Sequence, residues 1–246
     1  MKAAPEAQKR LLDLAELDAA LARLAHRRSS LPEIAELDEL GGRMAGLGSQ
    51  IVAAETAVSD LAREQTKAET DVDQVRARAD RDQKRLDSGQ VSSPRDLENL
   101  QHEIASLQRR QGDLEEVVLE IMERREAAEA KVAELTAQRA ELETRRDELT
   151  AARDAAFSEI DKEAFATGER RKLVAGQIPD DLLALYEKLR GQYGVGAALL
   201  QGGRCGGCKL SLNVSDLNRI RSAPHDEVVR CEECRRILVR TAESGL

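Results

Sequence analysis

The chain has 246 residues, of which 34% are charged and only 2% aromatic, with no Trp, two Phe and two Tyr. Such an Ala-, Glu-, Arg- and Leu-rich composition excludes an ordinary aromatic-filled core and points to long helices or coiled coil. The net charge of −8 divides into −11 over 1–170 (26 basic, 37 acidic) and +3 over 171–246 (12 basic, 9 acidic), so neither half is basic enough to announce nucleic acid by charge alone.

The opening residues, MKAAPEAQKRLL, hold no apolar stretch of signal-peptide length. No run of about 18 apolar residues occurs anywhere, so no membrane span is expected and a reducing, cytoplasmic setting is. A first helix is predicted over about 5–28, with Leu11, Leu14, Leu17, Leu21 and Leu24 on one side. SSLPE (29–33) interrupts it: Ser30 and Glu33 suit a capping box and Pro32 the new first turn, so a kink is expected. The first helix should then fold against 155–175.

A second helix follows over about 31–87, with the seam Leu40, Met44, Leu47, Ile51, Ala54, Val58, Leu61, Gln65, Ala68, Val72, Val75, Ala79, Asp82 and Leu86. Within it GGRMAGLG (41–48) reads as a flexible segment or bend, because each Gly costs about 1 kcal/mol relative to Ala in a helix. It lacks the Gly-Lys-Ser/Thr ending of a phosphate-binding loop. Residues 88–93 form a tip, where Gly89 supplies a turn and Ser93, Pro94 and Asp96 open the next helix as cap, first residue and closing acid.

From Leu97 to Ile160, apolar residues recur in alternating steps of three and four, and 14 of the 19 seam positions are apolar. This 3.5-residue repeat specifies a left-handed coiled coil within a helix predicted over 94–172. A short loop between two long amphipathic helices makes a kinked antiparallel hairpin (1–175) the economical topology. Setting Leu86 against Leu97 places Val72 by Gln111, Val58 by Arg125 and Met44 by Arg139, each polar stem lying on an apolar neighbour.

All four aromatics fall between Phe157 and Tyr193. IPDDLLALYEKLR (178–190) lies in a junction helix segment (176–195), where the base of the hairpin is expected to pack on a terminal module (196–246).

That module holds every cysteine, in RCGGCKL and RCEECRRILVR. Cys205 and Cys208 are separated from Cys231 and Cys234 by 22 residues. Two such knuckles supply four thiolates for one structural Zn²⁺, with iron in a rubredoxin-like site the competing reading. AALL, LSL, VV and ILV read as short strands and SDLNRI as a short capped helix, which together make a zinc ribbon. A redox pair would need an α/β setting that this sequence lacks. Hydrolytic chemistry would need an open metal position, which four thiolates close. Glu232 and Glu233 are therefore read as exposed loop carboxylates, and His26, His102 and His225 as solvated. No catalytic constellation is recognised, and the chain is read as a non-enzyme. Arg230, Arg235, Arg236 and Arg240 form the one basic stripe that could meet RNA, DNA or a partner.

Together, the kinked hairpin, the tip SPRDLENLQHEI, IPDDLLALYEKL and CGGC…CEECRRIL resemble a bacterial family of coiled-coil proteins with a C-terminal four-cysteine zinc-ribbon domain. The resemblance implies a mainly α fold, one zinc and an adaptor or chaperone-like role. Its members are mostly uncharacterised, and some are linked to flagella, an alternative sigma factor or RNA. Two departures stand out. Arg235 occupies the place of a usual Gly after the second knuckle, which should strain that turn, and Asp96-Leu97 replaces a frequent Glu-Tyr at the tip. Three functions follow as expectations. The first is a protein-binding scaffold, monomeric or homodimeric. The second is an RNA polymerase-associated regulator acting through a tip where Asp87, Arg95, Asp96 and Glu98 would meet the partner. The third is a nucleic-acid binder using the ribbon arginines.

Overall fold

The computed structural model describes residues 1–246. The protein is mainly helical: a long helical hairpin, in which α1 and α2 pack on α3, is followed by a small β-sheet ribbon. Helices α1 (Pro5–Ser29), α2 (Pro32–Asp87), α3 (Pro94–Ala175) and α4 (Asp180–Tyr193) precede the ribbon. The ribbon contains β1 (Ala197–Gln201), β2 (Arg204–Cys205), α5 (Val214–Ser222), β3 (Val229–Arg230), β4 (Ile237–Val239) and a final 3-10 turn (Ala242–Ser244). Two compact units divide the chain, Glu36–Leu149 on the one hand and Met1–Ala35 with Thr150–Leu246 on the other. The boundary cuts across the sequence division at 175 and 195, because α1 and the last part of α3 share a core with the ribbon.

The break between α1 and α2 falls at the expected place, but Ser30 closes α1 as its C-cap instead of opening α2 through a capping box. Its N–H donates to the His26 carbonyl, and Glu33 keeps a buried Oε2 without a hydrogen-bond partner. Where a flexible segment or bend was expected, at Gly41–Gly48, α2 continues as unbroken helix. Leu40 and Ile51 anchor the seam on either side, and tertiary burial overrides the local propensity of the glycines.

Between Glu36 and Leu149, the heptad positions carry the packing. Leu40, Ile51, Leu61, Ala68 and Ala79 of α2 are buried, as are Leu100, Ile104, Ile121, Leu135 and Leu149 of α3. Leu61, Ala68 and Ile121 form one cluster, edged by Val118 and Ala128. The ion pairs Arg78–Glu103 and Glu36–Arg145 bridge the helices. Arg125 departs from expectation. Its guanidinium donates to Gln65 Oε1 at 3.2 Å across the hairpin and to Glu129 Oε1 at 2.8 Å on its own helix, so the head finds polar partners in the protein.

The ribbon sheet has the order β2-β1-β4-β3, with β1 and β4 parallel and both outer pairs antiparallel. Alternation along β1 and β4 sends side chains to opposite faces. Ala197, Ile237 and Val239 face α1 and α4, where they meet Leu11, Leu14, Leu182, Tyr186 and Leu189. Ala198, Leu200 and Leu238 face α5 and the cysteines, meeting Leu212, Ile220, Val229, Cys205 and Cys231. LSL (210–212) is not a strand; only Ser211 bridges back to Arg204, and β2 takes its place beside β1. Helix α5 begins one residue earlier than expected, at Val214, capped by Asn213, whose side chain accepts from the Asp216 N–H at 2.8 Å. The chain start joins the same body: Ala3 N–H donates to the Asp226 carbonyl and Val228 N–H to that of Met1.

Tyr186 is fully buried and Phe157 lies under Arg28, 4.1 Å from guanidinium carbon to ring centre. Phe165, by contrast, is 72% exposed, so the aromatics do not all serve the joint.

Candidate metal centre

The two knuckles are built by one backbone pattern used twice. Cys205 N–H donates to the Leu210 carbonyl (3.0 Å) and Cys231 N–H to that of Arg236 (2.9 Å). The Lys209 N–H returns to the Cys205 carbonyl (2.7 Å), and the Arg235 N–H to that of Cys231 (2.9 Å). Each loop closes through a left-handed residue after its second cysteine, Lys209 at φ 62° and Arg235 at φ 61°. The strain expected at Arg235 is therefore present, and Lys209 carries its counterpart. Gly207 admits no side chain, because a Cβ there would come within 2.9 Å of Arg236 Cδ and 3.0 Å of the Ala198 Cβ.

This geometry converges Cys205, Cys208, Cys231 and Cys234, whose sulfurs all lie within 4.8 Å of one another. Cys205 and Cys234 are 3.7 Å apart, and Cys208 and Cys231 are 4.0 Å apart. Zn–S bonds of about 2.3 Å in a tetrahedron set sulfurs about 3.8 Å apart, so the residues fit zinc. Their acid–base behaviour points the same way. Burial pushes the Cys205 thiol up to about 12 and raises Cys231. Burial also opposes ionisation of Cys234, but the Arg236 backbone and side chain and the neighbouring cysteines outweigh it and bring that thiol to about 7. Four thiolates can coexist here only with a cation to balance them. The four cysteines make one structural zinc site.

The remaining candidate residues fall into two groups. Three of the four stripe arginines are engaged by the fold. Arg240 donates to the carbonyls of Ile220, Ala223, Pro224, His225 and Glu227, tying the end of α5 to the following loop. Arg236 donates to those of Tyr193 and Val195, and Arg230 to that of Arg235 behind the second knuckle. Arg235 is exposed and pairs with Glu232, which also accepts from Arg219 at 2.7 Å. Glu233 is likewise exposed. At the tip, Asp87, Arg95, Asp96 and Glu98 are all exposed.

One polar cluster escaped the sequence reading. Asp18 is buried on α1 and accepts from Tyr186 Oη (2.6 Å) and Arg171 Nε (2.6 Å). Arg171 also donates to Glu187 (2.5 Å), which accepts from Arg190 (2.7 Å). This ties α1, α3 and α4 together. Burial and the Asp18 hydrogen bond push the Tyr186 hydroxyl far up, and the Asp18 contact raises the Arg171 guanidinium. Burial favours the neutral form of Glu187, yet hydrogen bonds from Arg171 and Arg190 hold its carboxyl below the usual range. An acidic residue set within the leucine face of α1 was the available signal.

A helical hairpin joined to a four-cysteine ribbon defines a class of protein, and the comparisons specify which. Residues 14–194 match the CT398-like coiled-coil hairpin domain and residues 204–238 a C4-type zinc ribbon domain. The chain belongs to the CT398-like coiled-coil hairpin family. A solved structure from Mycobacterium smegmatis is similar at 41% identity and a TM-score of 0.87, over 98% of this chain and 100% of that one. CT398 from Chlamydia trachomatis shares the fold at 18% identity and a TM-score of 0.72, covering 95% of this chain and 97% of that one. HP0958 from Helicobacter pylori is also 18% identical, with a TM-score of 0.51 over 96% of this chain and 98% of that one. Among curated proteins, the uncharacterized Mycobacterium tuberculosis protein Rv2229c is 40% identical over 87 residues, 35% of this chain and 36% of that protein. The match thus spans about a third of that relative's length. No helix is long and apolar enough to cross a membrane.

Proposed function

We propose that this protein is a non-enzymatic scaffold whose hairpin and ribbon each present a surface to protein partners. The closed set of four sulfurs carries this reading. A shell completed by four thiolates has no open position for water or substrate, so the metal holds a fold and performs no chemistry. The exposed Leu210 and Val214 give the ribbon apolar surface, and the tip acids give the hairpin a charged one. Pull-down from the native cell tests the reading with two variants, Asp96→Ala/Glu98→Ala and Leu210→Ser/Val214→Ser. Loss of different partners by each supports two surfaces, whereas identical partner sets for both variants and the parent protein refute it.

A second reading is favoured by the exposed acids Asp87, Asp96 and Glu98: a regulator that carries them into RNA polymerase. It predicts co-purification with polymerase and altered transcription, and absence of both removes it. The nucleic-acid reading is the weaker one, because Arg230, Arg236 and Arg240 already donate to backbone carbonyls. It requires an RNA or DNA shift that falls steeply with salt.

A further inference from the structure

Along Glu36–Leu149 one local arrangement occurs twice. Glu69 and Val72 of α2 face Glu115 and Val118 of α3 around an apolar notch of about 300 Å³, also lined by Asp73 and Leu119. Glu55 and Val58 face Glu129 and Val132 around a second notch of about 290 Å³, completed by Ala133. Each member of the second set lies fourteen residues from its counterpart, which is two heptads in opposite directions along the two helices. Heptad positions keep their place on a coiled coil, so the notches share one face about 21 Å apart. The sequence carries the repeat as ETAV (55–58) and ETDV (69–72).

The intervening heptad is built differently. There Gln65 and Arg125 stand where the valines would be, and their hydrogen bond bridges the helices, while Met122 stays exposed beside them. The valines are half-buried, so each notch offers apolar floor that the hairpin leaves uncovered. Leu119, at 58% exposure, extends one floor outward. The rim is acidic: Asp113–Glu123 holds five acids and no base, and no cation pairs with Glu55, Glu69 or Glu115.

We infer that this face docks a basic amphipathic helix of a partner protein, with apolar anchors two heptads apart and Lys or Arg beside each. A helix following the same supercoil stays in step with the notches, and its cations balance Glu55, Glu69 and Glu115. The last two of these accept only from the neutral Gln65 and Gln111, while Glu129 is already paired with Arg125. A second copy of this chain would bring the same acidic rim against itself, and a nucleic acid would be repelled. The inference rests on the scaffold reading above and names the chemistry of one partner.

The test uses the full zinc-loaded chain and labelled synthetic helical peptides, read by fluorescence anisotropy. The first peptide sets two Leu fourteen residues apart among Lys. A second sets them twelve apart, about two-fifths of a turn off the face at about 3.5 residues per turn. A third replaces Lys by Glu. The first should bind, and the others should bind about tenfold or more weakly. Leu119→Gln and Ala133→Gln, both at exposed helix positions, should each weaken the first peptide about tenfold without changing thermal unfolding. Equal binding of the two spacings, unchanged binding by both variants, or no binding at low salt overturns the inference. So does a dimer that the same variants dissociate, since a second copy then fills the face. Pull-down separates the two readings: partners kept by the Leu119→Gln/Ala133→Gln protein but lost by the tip or ribbon variants sink this face alone and leave the scaffold standing.

Discussion

The two compact units solve the same burial problem in opposite ways. Met1–Ala35 with Thr150–Leu246 concentrates it: Leu11, Leu14, Leu182, Tyr186, Leu200 and Leu238 are wholly removed from water, around a sheet packed on both faces. Glu36–Leu149 spreads it along a two-helix seam, where even Ile121 keeps 3% exposure and most heptad positions keep more. Stability in the first body depends on a few non-local contacts. In the second it is a sum of many weak ones, so losing any single seam residue should matter little.

Zinc removal should separate the two most sharply. Chelation, or Cys231→Ser, should unfold the ribbon, since structural zinc is worth about 10–16 kcal/mol in isolated zinc-finger peptides. The helical signal of the hairpin should largely survive in far-ultraviolet circular dichroism, with one zinc per chain lost by metal analysis. Complete loss of helicity would show that the two units are not independent.

Next is the buried cluster. Asp18→Ala leaves Arg171 without its main partner and should cost about 3–5 kcal/mol in urea unfolding. The same cluster predicts acid sensitivity. Glu187 titrates below its unfolded value, so its contribution is complete above that value and disappears as pH falls through the depressed one. Urea midpoints of the Glu187→Gln protein should therefore depend less on pH across the acid range.

Leu14→Ala should cost about 2–5 kcal/mol, whereas Val58→Ala at a half-buried seam position should cost about 1 kcal/mol or less. Similar losses at the two sites would erase the contrast. The smallest effects run the other way. Arg235→Gly and Lys209→Gly relieve left-handed backbone and should each stabilise the zinc-loaded ribbon by about 1 kcal/mol, read as a higher melting temperature.

What could be read from sequence was what is local or periodic. The heptads of Leu97–Ile160 and the two Cys-x-x-Cys pairs state their structure within a few residues of themselves. The strain at Arg235 was legible only through the family resemblance, which implies a Gly at that turn and so gives the departure a direct backbone meaning. Long-range facts were not. Nothing near Arg240 announces that five carbonyls between Ile220 and Glu227 surround its guanidinium, and nothing near Asp18 names Tyr186 or Arg171. The interruption expected at Gly41–Gly48 failed for a related reason: propensity is local, while the seam that keeps α2 helical there is contributed in part by α3.

The packing of Leu11 and Leu14 on Ile237 and Val239 has a consequence for synthesis. Leu11 and Leu14 of the first helix leave the ribosome more than 220 residues before the strand that covers them. At about 5–20 residues per second, roughly 10–45 seconds pass before the last partner of its leucine face is made. During that interval the nascent chain displays an apolar stripe, so its yield in the cell should respond to translation speed and chaperone supply more than the melting temperature of the finished protein does.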